Sequence, residues 1–245
     1  MLFWIIGFSL LGSIGAVAGA ALFLFFPENI RKVLVPNLIS YATGTLLGAA
    51  FLGLIPAGLK KAPAISVTST ILAGMVLFFL LEKIVLWRHS HENDYKVHGR
   101  AGPLILIGDA FHNFVDGVVI ASAFLTSITL GISAALAVIA HEIPQEVGDF
   151  AILLDYGYDR MKAVILNGLS AATTLPGAVV AYFWLSNTYE MEPYILALSA
   201  ASFIYIAMAD LIPGLHRQVT FTSSLRQLVF LLVGIGTIAF FHFGI

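Results

Sequence analysis

Apolar residues gather into eight long stretches, at about 1–26, 36–59, 65–87, 102–125, 130–156, 163–185, 193–215 and 225–243, separated by short runs of charged or small polar residues. Each stretch is close to the ~20 residues that an α-helix needs to cross the hydrocarbon core of a bilayer. The pattern predicts an all-α integral membrane protein, a bundle of eight transmembrane helices. No Lys or Arg precedes the first stretch, and it is longer than the apolar core of a secretory signal, so it reads as a span. The most polar run, about 88–101, reads as a variable loop, and nothing marks a second domain within 1–245. Gly15 with Gly19 and Gly44 with Gly48 are small-xxx-small pairs that permit close helix packing, within the chain or between two copies.

Two of the stretches are interrupted by polar residues at helical spacing. The fourth carries His112-Asn113-Phe114-Val115-Asp116-Gly117 and the fifth carries His141-Glu142-Ile143-Pro144-Gln145-Glu146. Residues three and four apart share a helix face, so His112 stacks with Asp116, His141 with Gln145, and Glu142 with Glu146. A carboxylate near the bilayer centre costs roughly 2.5 to 3.5 kcal/mol on insertion scales, so it turns toward a partner or a shared cation. Pro144 removes a helix hydrogen bond and frees the carbonyl of Ala140 at the level of the motif. Asp109, one turn before His112, reads either as an acceptor that orients His112 or as a group nearer one mouth of the bundle. Asp149, Asn167, Ser170 and Asp210 are further polar positions inside spans, placed around the motifs or along a path from them.

Composition and charge narrow the class. The chain has 245 residues, of which 59% are hydrophobic and 11% charged, too few charges to coat a water-soluble globule. A formal net charge of -2 and the lack of a basic patch exclude nucleic acid as a partner. With no cysteine, disulfides, thiolate metal sites and cysteine nucleophiles are excluded together. Assigning alternate loops to one side places ten of the twelve Lys and Arg residues there and leaves only Lys60 and Lys61 opposite. By the positive-inside rule the richer side is cytoplasmic, which sends both termini to the non-cytoplasmic side.

Neutral imidazole with carboxylate and amide oxygens is the ligand set of Zn, Fe, Mn or Co, whereas copper(I) calls for thiolate or thioether ligands. The candidate ligands are His112, Asn113 and Asp116 from one span and His141, Glu142, Gln145 and Glu146 from the next, more than one cation needs. His89, His91 and His98 read as part of a solvated loop, with weak metal capture as the alternative. No organic cofactor is expected. Three functions fit such a site: a carrier for the cation, an intramembrane metal-dependent hydrolase with Glu142 as general base, and a scaffold or sensor. The second is disfavoured because HExxH needs a histidine where Gln145 stands.

His112-Asn113-x-x-Asp116-Gly117 followed by His141-Glu142-Ile143-Pro144-x-Glu146-x-Gly148-Asp149-Phe150 closely resembles the paired signatures of the ZIP (Zrt/Irt-like) family of divalent metal transporters. Gly44 to Gly48, Leu81-Glu82-Lys83, Asn167-x-x-Ser170 and Tyr205 to Pro213 extend the resemblance along nearly the whole chain. It implies entry of a divalent cation, zinc before iron, manganese, cobalt or cadmium, into the cytoplasm through a midplane, often binuclear, site between the fourth and fifth helices. Carried over residue by residue, the ligands are His112, Asn113, Asp116, His141, Glu142 and the position of Gln145, where the family commonly has His or Glu. The second span has Ala49, Gly53 and Ala57 where relatives often carry Asp and His. A homodimer in the plasma (inner) membrane is the corresponding expectation.

Overall fold

A computed structural model describes residues 1–23, 26–91, 101–217 and 220–244. Those residues form helices and short turns, with no strand among them. The helical runs are α1 (Leu2–Leu22), α2 (Asn29–Leu59), α3 (Ala64–His91), α4 (Ala101–Thr126), α5 (Ile128–Asp155), α6 (Arg160–Leu185), α7 (Glu192–Leu215) and α8 (Phe221–Phe243). Seven of them are long and apolar enough to cross a membrane, which makes the chain a multi-pass membrane protein. Helix α4, whose side chains are described from Leu106 on, carries Asp109, His112, Asn113 and Asp116 within the bundle. Large apolar side chains such as Phe3, Ile65, Phe221 and Phe240 stand exposed on the outside, as a lipid-facing surface requires.

Helix ends follow local chemistry. Ser127 caps α5 by accepting from the Leu130 N–H at 3.1 Å, and Asp159 caps α6 by accepting from Lys162 at 2.9 Å. Between α5 and α6 the chain reverses through Gly157, whose φ of +83° suits glycine. Two boundaries differ from the sequence expectation. Helix α3 continues to His91, one turn into the run expected as loop. Helix α6 is interrupted between Ala171 and Thr174, because the Pro176 ring would clash with the Ala172 carbonyl in an unbroken helix. Single π-type turns at Leu11–Gly15, Ala49–Leu54 and Ile206–Leu211 widen α1, α2 and α7.

Packing is closest where glycines meet. A Cβ on Gly117 would lie 1.9 Å from the Thr174 carbonyl oxygen, and one on Gly177 2.1 Å from that of Phe114, so α4 and α6 touch backbone to backbone. Gly44 and Gly234 do the same for α2 and α8, so Gly44 is spent on packing within the chain. A dry cluster including Ile5, Leu46, Ile120, Phe124, Leu130, Val138, Leu196 and Phe203 fills the half of the bundle on the Ser127 side of the motifs. At that end Glu192 accepts from Thr126 Oγ1 at 2.6 Å and pairs with Lys61, tying three connections together. Nearer the other end the Tyr205 hydroxyl donates to Glu82, linking α7 to α3.

Candidate metal centre

Helices α4 and α5 are joined by the short turn at Ser127 and pack antiparallel, which sets the two polar motifs side by side. The i, i+4 spacing puts His112 and Asp116 on the α4 face that meets α5, and His141 and Glu142 answer from α5. His112 Nε2 lies 3.2 Å from His141 Nε2, 3.6 Å from Asp116 Oδ2 and 3.4 Å from Glu142 Oε1. His141 Nε2 lies 3.2 Å from Asp116 Oδ2 and 3.6 Å from Glu142 Oε1. The four residues therefore offer ligand atoms that all fall within 4.8 Å of one another.

Those separations have a chemical meaning. Four tetrahedral ligands bonded at about 2.0–2.1 Å to a zinc ion stand about 3.3–3.4 Å apart. Five of the six edges, at 3.2 to 3.6 Å, bracket that value. The protonation pattern agrees. His141 Nδ1 is 2.9 Å from the Ala137 carbonyl, which can only accept, so Nδ1 carries the hydrogen and Nε2 presents its lone pair to the centre. Both carboxylate oxygens of Asp116 and of Glu142 are buried with no hydrogen-bond donor, an arrangement suited to a cation. Asp116, His141 and Glu142 are closed off, whereas the His112 side chain is 20% accessible and marks the open edge of the group.

The other predicted ligands face elsewhere. Asn113 donates its amide N–H to Asp109 Oδ1 at 3.0 Å and accepts at Oδ1 from the Thr174 hydroxyl, also at 3.0 Å. Gln145 donates to the same Asp109 oxygen at 3.3 Å. Asp109 thus holds the two amides of the motifs and makes no hydrogen bond to His112. Glu146 is fully buried one turn beyond Glu142, and Asn167 reaches its backbone carbonyl at 3.5 Å. Ser170 bonds its own helix, Asp149 is half-buried and Asp210 is exposed. The backbone of His89 and His91 belongs to α3; their side chains, and His98 entirely, lie outside the described residues.

Sequence reasoning places Thr173 and Thr174 inside the sixth span and gives them no role. Thr173 Oγ1 donates to the Ala110 carbonyl at 2.5 Å, so with the Thr174 bond to Asn113 the break in α6 is fastened to α4. Two hydroxyls followed by a proline inside an apolar span were the available signal. It likewise left Glu82 and Tyr205 as separate matches rather than a pair.

Comparison with known proteins decides the family. The family described as "ZIP Zinc transporter" matches residues 88–242, well over half of the chain. The chain belongs to the ZIP family. It is 32% identical to Zinc transporter ZIP13 of Pongo abelii over 95% of its own length and 77% of that protein's. It is 29% identical to the Zinc transporter ZIP13 homolog of Drosophila melanogaster, over 87% of this chain and 79% of the other. With Zinc transporter ZIP4 of Homo sapiens the identity is 41%, over 46% of this chain and only 17% of that longer protein. This ZIP chain thus spans most of the ZIP13 relatives and a small part of ZIP4.

Proposed function

We propose that this ZIP chain carries a divalent transition-metal cation, zinc foremost, across a bilayer into the cytoplasm, holding it between α4 and α5 on His112, Asp116, His141 and Glu142. The observation that carries the reading is the convergence of those four ligand atoms within 4.8 Å, deep inside a bundle of apolar helices. A buried centre of two imidazoles and two carboxylates selects zinc-like ions over magnesium or calcium, which prefer all-oxygen shells. The names of the relatives as zinc transporters support the same cargo.

Topology supplies the direction. With α4 as the eighth span, both termini lie on the non-cytoplasmic side and the loops bearing Arg160 and Lys162 face the cytoplasm. The whole of 1–245 then acts as one membrane domain, and the assembly is a homodimer in the plasma membrane. The hydrolase reading loses ground on geometry. Glu142 faces both imidazoles as a ligand instead of standing off as a base, and Gln145 is engaged by Asp109.

The test is entry of Zn(II), with Fe(II), Mn(II) and Cd(II) in parallel, into proteoliposomes containing a metal-sensitive dye. Saturable zinc entry that falls to the protein-free background in Asp116→Ala is expected. Entry unchanged in that variant would refute this path, and no entry of any ion would refute transport.

A further inference from the structure

Positive charge is not spread evenly over the ends of the helices. Arg160 and Lys162 share the α5–α6 connection with Asp155 and Asp159, so that end is close to neutral. Residues 27–35 and 211–245 instead hold Arg31, Lys32, Arg217 and Arg226 against a single acid, Glu28. Four cations less one acid leave a surplus of three where α2 begins, α7 ends and α8 begins.

The fold gathers these segments. Gly44 of α2 lies against the backbone at Leu231 and Ile235, and Gly48 against Ile235 and Ile238, so α2 and α8 run parallel in direct contact. Thirteen residues back from Gly44 stands Arg31, and thirteen back from Gly234 stands Phe221, each about 20 Å down its helix. The first turn of α8 is thus level with Arg31, and Arg226 follows within two turns. Gln227 donates to the Leu215 carbonyl at 3.3 Å, which fastens the end of α7, and with it Arg217, to the same part of α8. Arg217 and Arg226 are exposed, and so are the apolar Ile30, Val33, Phe221 and Leu225. Cations beside exposed apolar side chains fit the boundary between head groups and acyl chains.

Arg31 turns this belt into a site. Its side chain is half-buried, and its Nε is closed off from water with no hydrogen-bond acceptor. A guanidinium N–H in that position is costly until an acceptor arrives, and the planar fork of arginine matches phosphate oxygens in pairs. We propose that Arg31, with Arg217 and Arg226 around it, holds the phosphate of an anionic phospholipid at the shared end of α2, α7 and α8. The exposed apolar side chains favour a lipid over a soluble phosphate, because they supply a surface for the acyl chains that a soluble anion would leave wet. In the orientation proposed above this end lies in the cytoplasmic leaflet, which carries the anionic lipids. Binding itself depends on neither the orientation nor the metal centre.

The experiment counts lipid retained by the purified full chain, using native mass spectrometry after incubation with mixed micelles of three parts phosphatidylcholine to one of phosphatidylglycerol. The native chain should keep one phosphatidylglycerol in preference to phosphatidylcholine. Arg217→Gln and Arg226→Gln should each weaken that retention about fivefold, the effect of one cation near an anionic lipid surface. Arg31→Gln should lose more, and Arg31→Lys, which keeps the charge without the Nε–H, should lose nearly as much. Arg160→Gln with Lys162→Gln is the control and should retain the lipid as the native chain does. Phosphatidylglycerol should also raise the Tm of the native chain and leave that of Arg31→Gln unchanged. Equal retention of the two lipids, or a loss in the control as large as in Arg31→Gln, would overturn the site in favour of general surface attraction. Full retention by Arg31→Lys would overturn the fitted guanidinium. Protection of the native chain by glycerol 3-phosphate equal to that by the lipid would overturn the lipid as occupant. Zinc entry plays no part in these readouts, so their failure leaves the transport reading standing.

Discussion

At the centre, His141 shows how one side chain is prepared for a metal by its own helix. Its Nδ1–H is spent on the Ala137 carbonyl one turn back, which leaves Nε2 no role but acceptor or ligand. Asn113 is held on both sides, by Asp109 and by Thr174. Replacing Thr174 with valine keeps the shape and strands a buried amide oxygen, at a cost of about 1–3 kcal/mol. Thermal unfolding of Thr174→Val should show the loss, with zinc uptake reduced but not abolished; an unchanged Tm would mean that the Asn113 oxygen finds another partner. The sequence already pointed to His112, Asp116, His141 and Glu142, because helical spacing and the cost of buried charge act locally. It did not show that Asn113 and Gln145 face Asp109, since the choice between a cation and a neighbouring carboxylate is made by tertiary geometry.

At the scale of elements, α4 brings the first polar motif into the middle of the bundle. It carries enough polar residues to weaken it as a free span, and it is held by close contact with α6 through Gly117 and Gly177. A methyl group on Gly117 would meet the Thr174 carbonyl at 1.9 Å, which is backbone and cannot swing aside. Gly117→Ala should therefore destabilise the bundle by about 1–3 kcal/mol or more and displace the Thr174 bond to Asn113. Gly148→Ala on α5 meets no atom within 4 Å and is the matched control. Equal thermal stabilities for the two variants would contradict this account of the α4–α6 contact. The all-helical class and the approximate limits of the seven apolar helices were legible from hydropathy, which depends on composition over about 20 residues. The break in α6 and the π-type turns were not, because they settle steric conflicts that arise when helices meet.

For the molecule as a whole, the asymmetry of Lys and Arg fixes a testable orientation. The native chain has no cysteine, so single cysteines report sidedness without background. Lys60→Cys should react with an impermeant maleimide added outside intact cells, and Asp159→Cys only after the membrane is opened. The reverse pattern would invert the bundle and the proposed direction of entry. The dry cluster fills the Ser127 side of the centre, while the buried carboxylates continue toward the Arg160 side. In the proposed orientation the apolar half faces outward and the polar path faces the cytoplasm.

The central claim is that one cation sits on two imidazoles and two carboxylates between α4 and α5. Zinc K-edge X-ray absorption on the purified chain, given a single equivalent of Zn(II), reads that shell directly. The account predicts four nitrogen or oxygen neighbours at about 2.0–2.1 Å with imidazole scattering from two histidines, and loss of one imidazole in His141→Ala. A shell of five or six oxygens without imidazole scattering would contradict it.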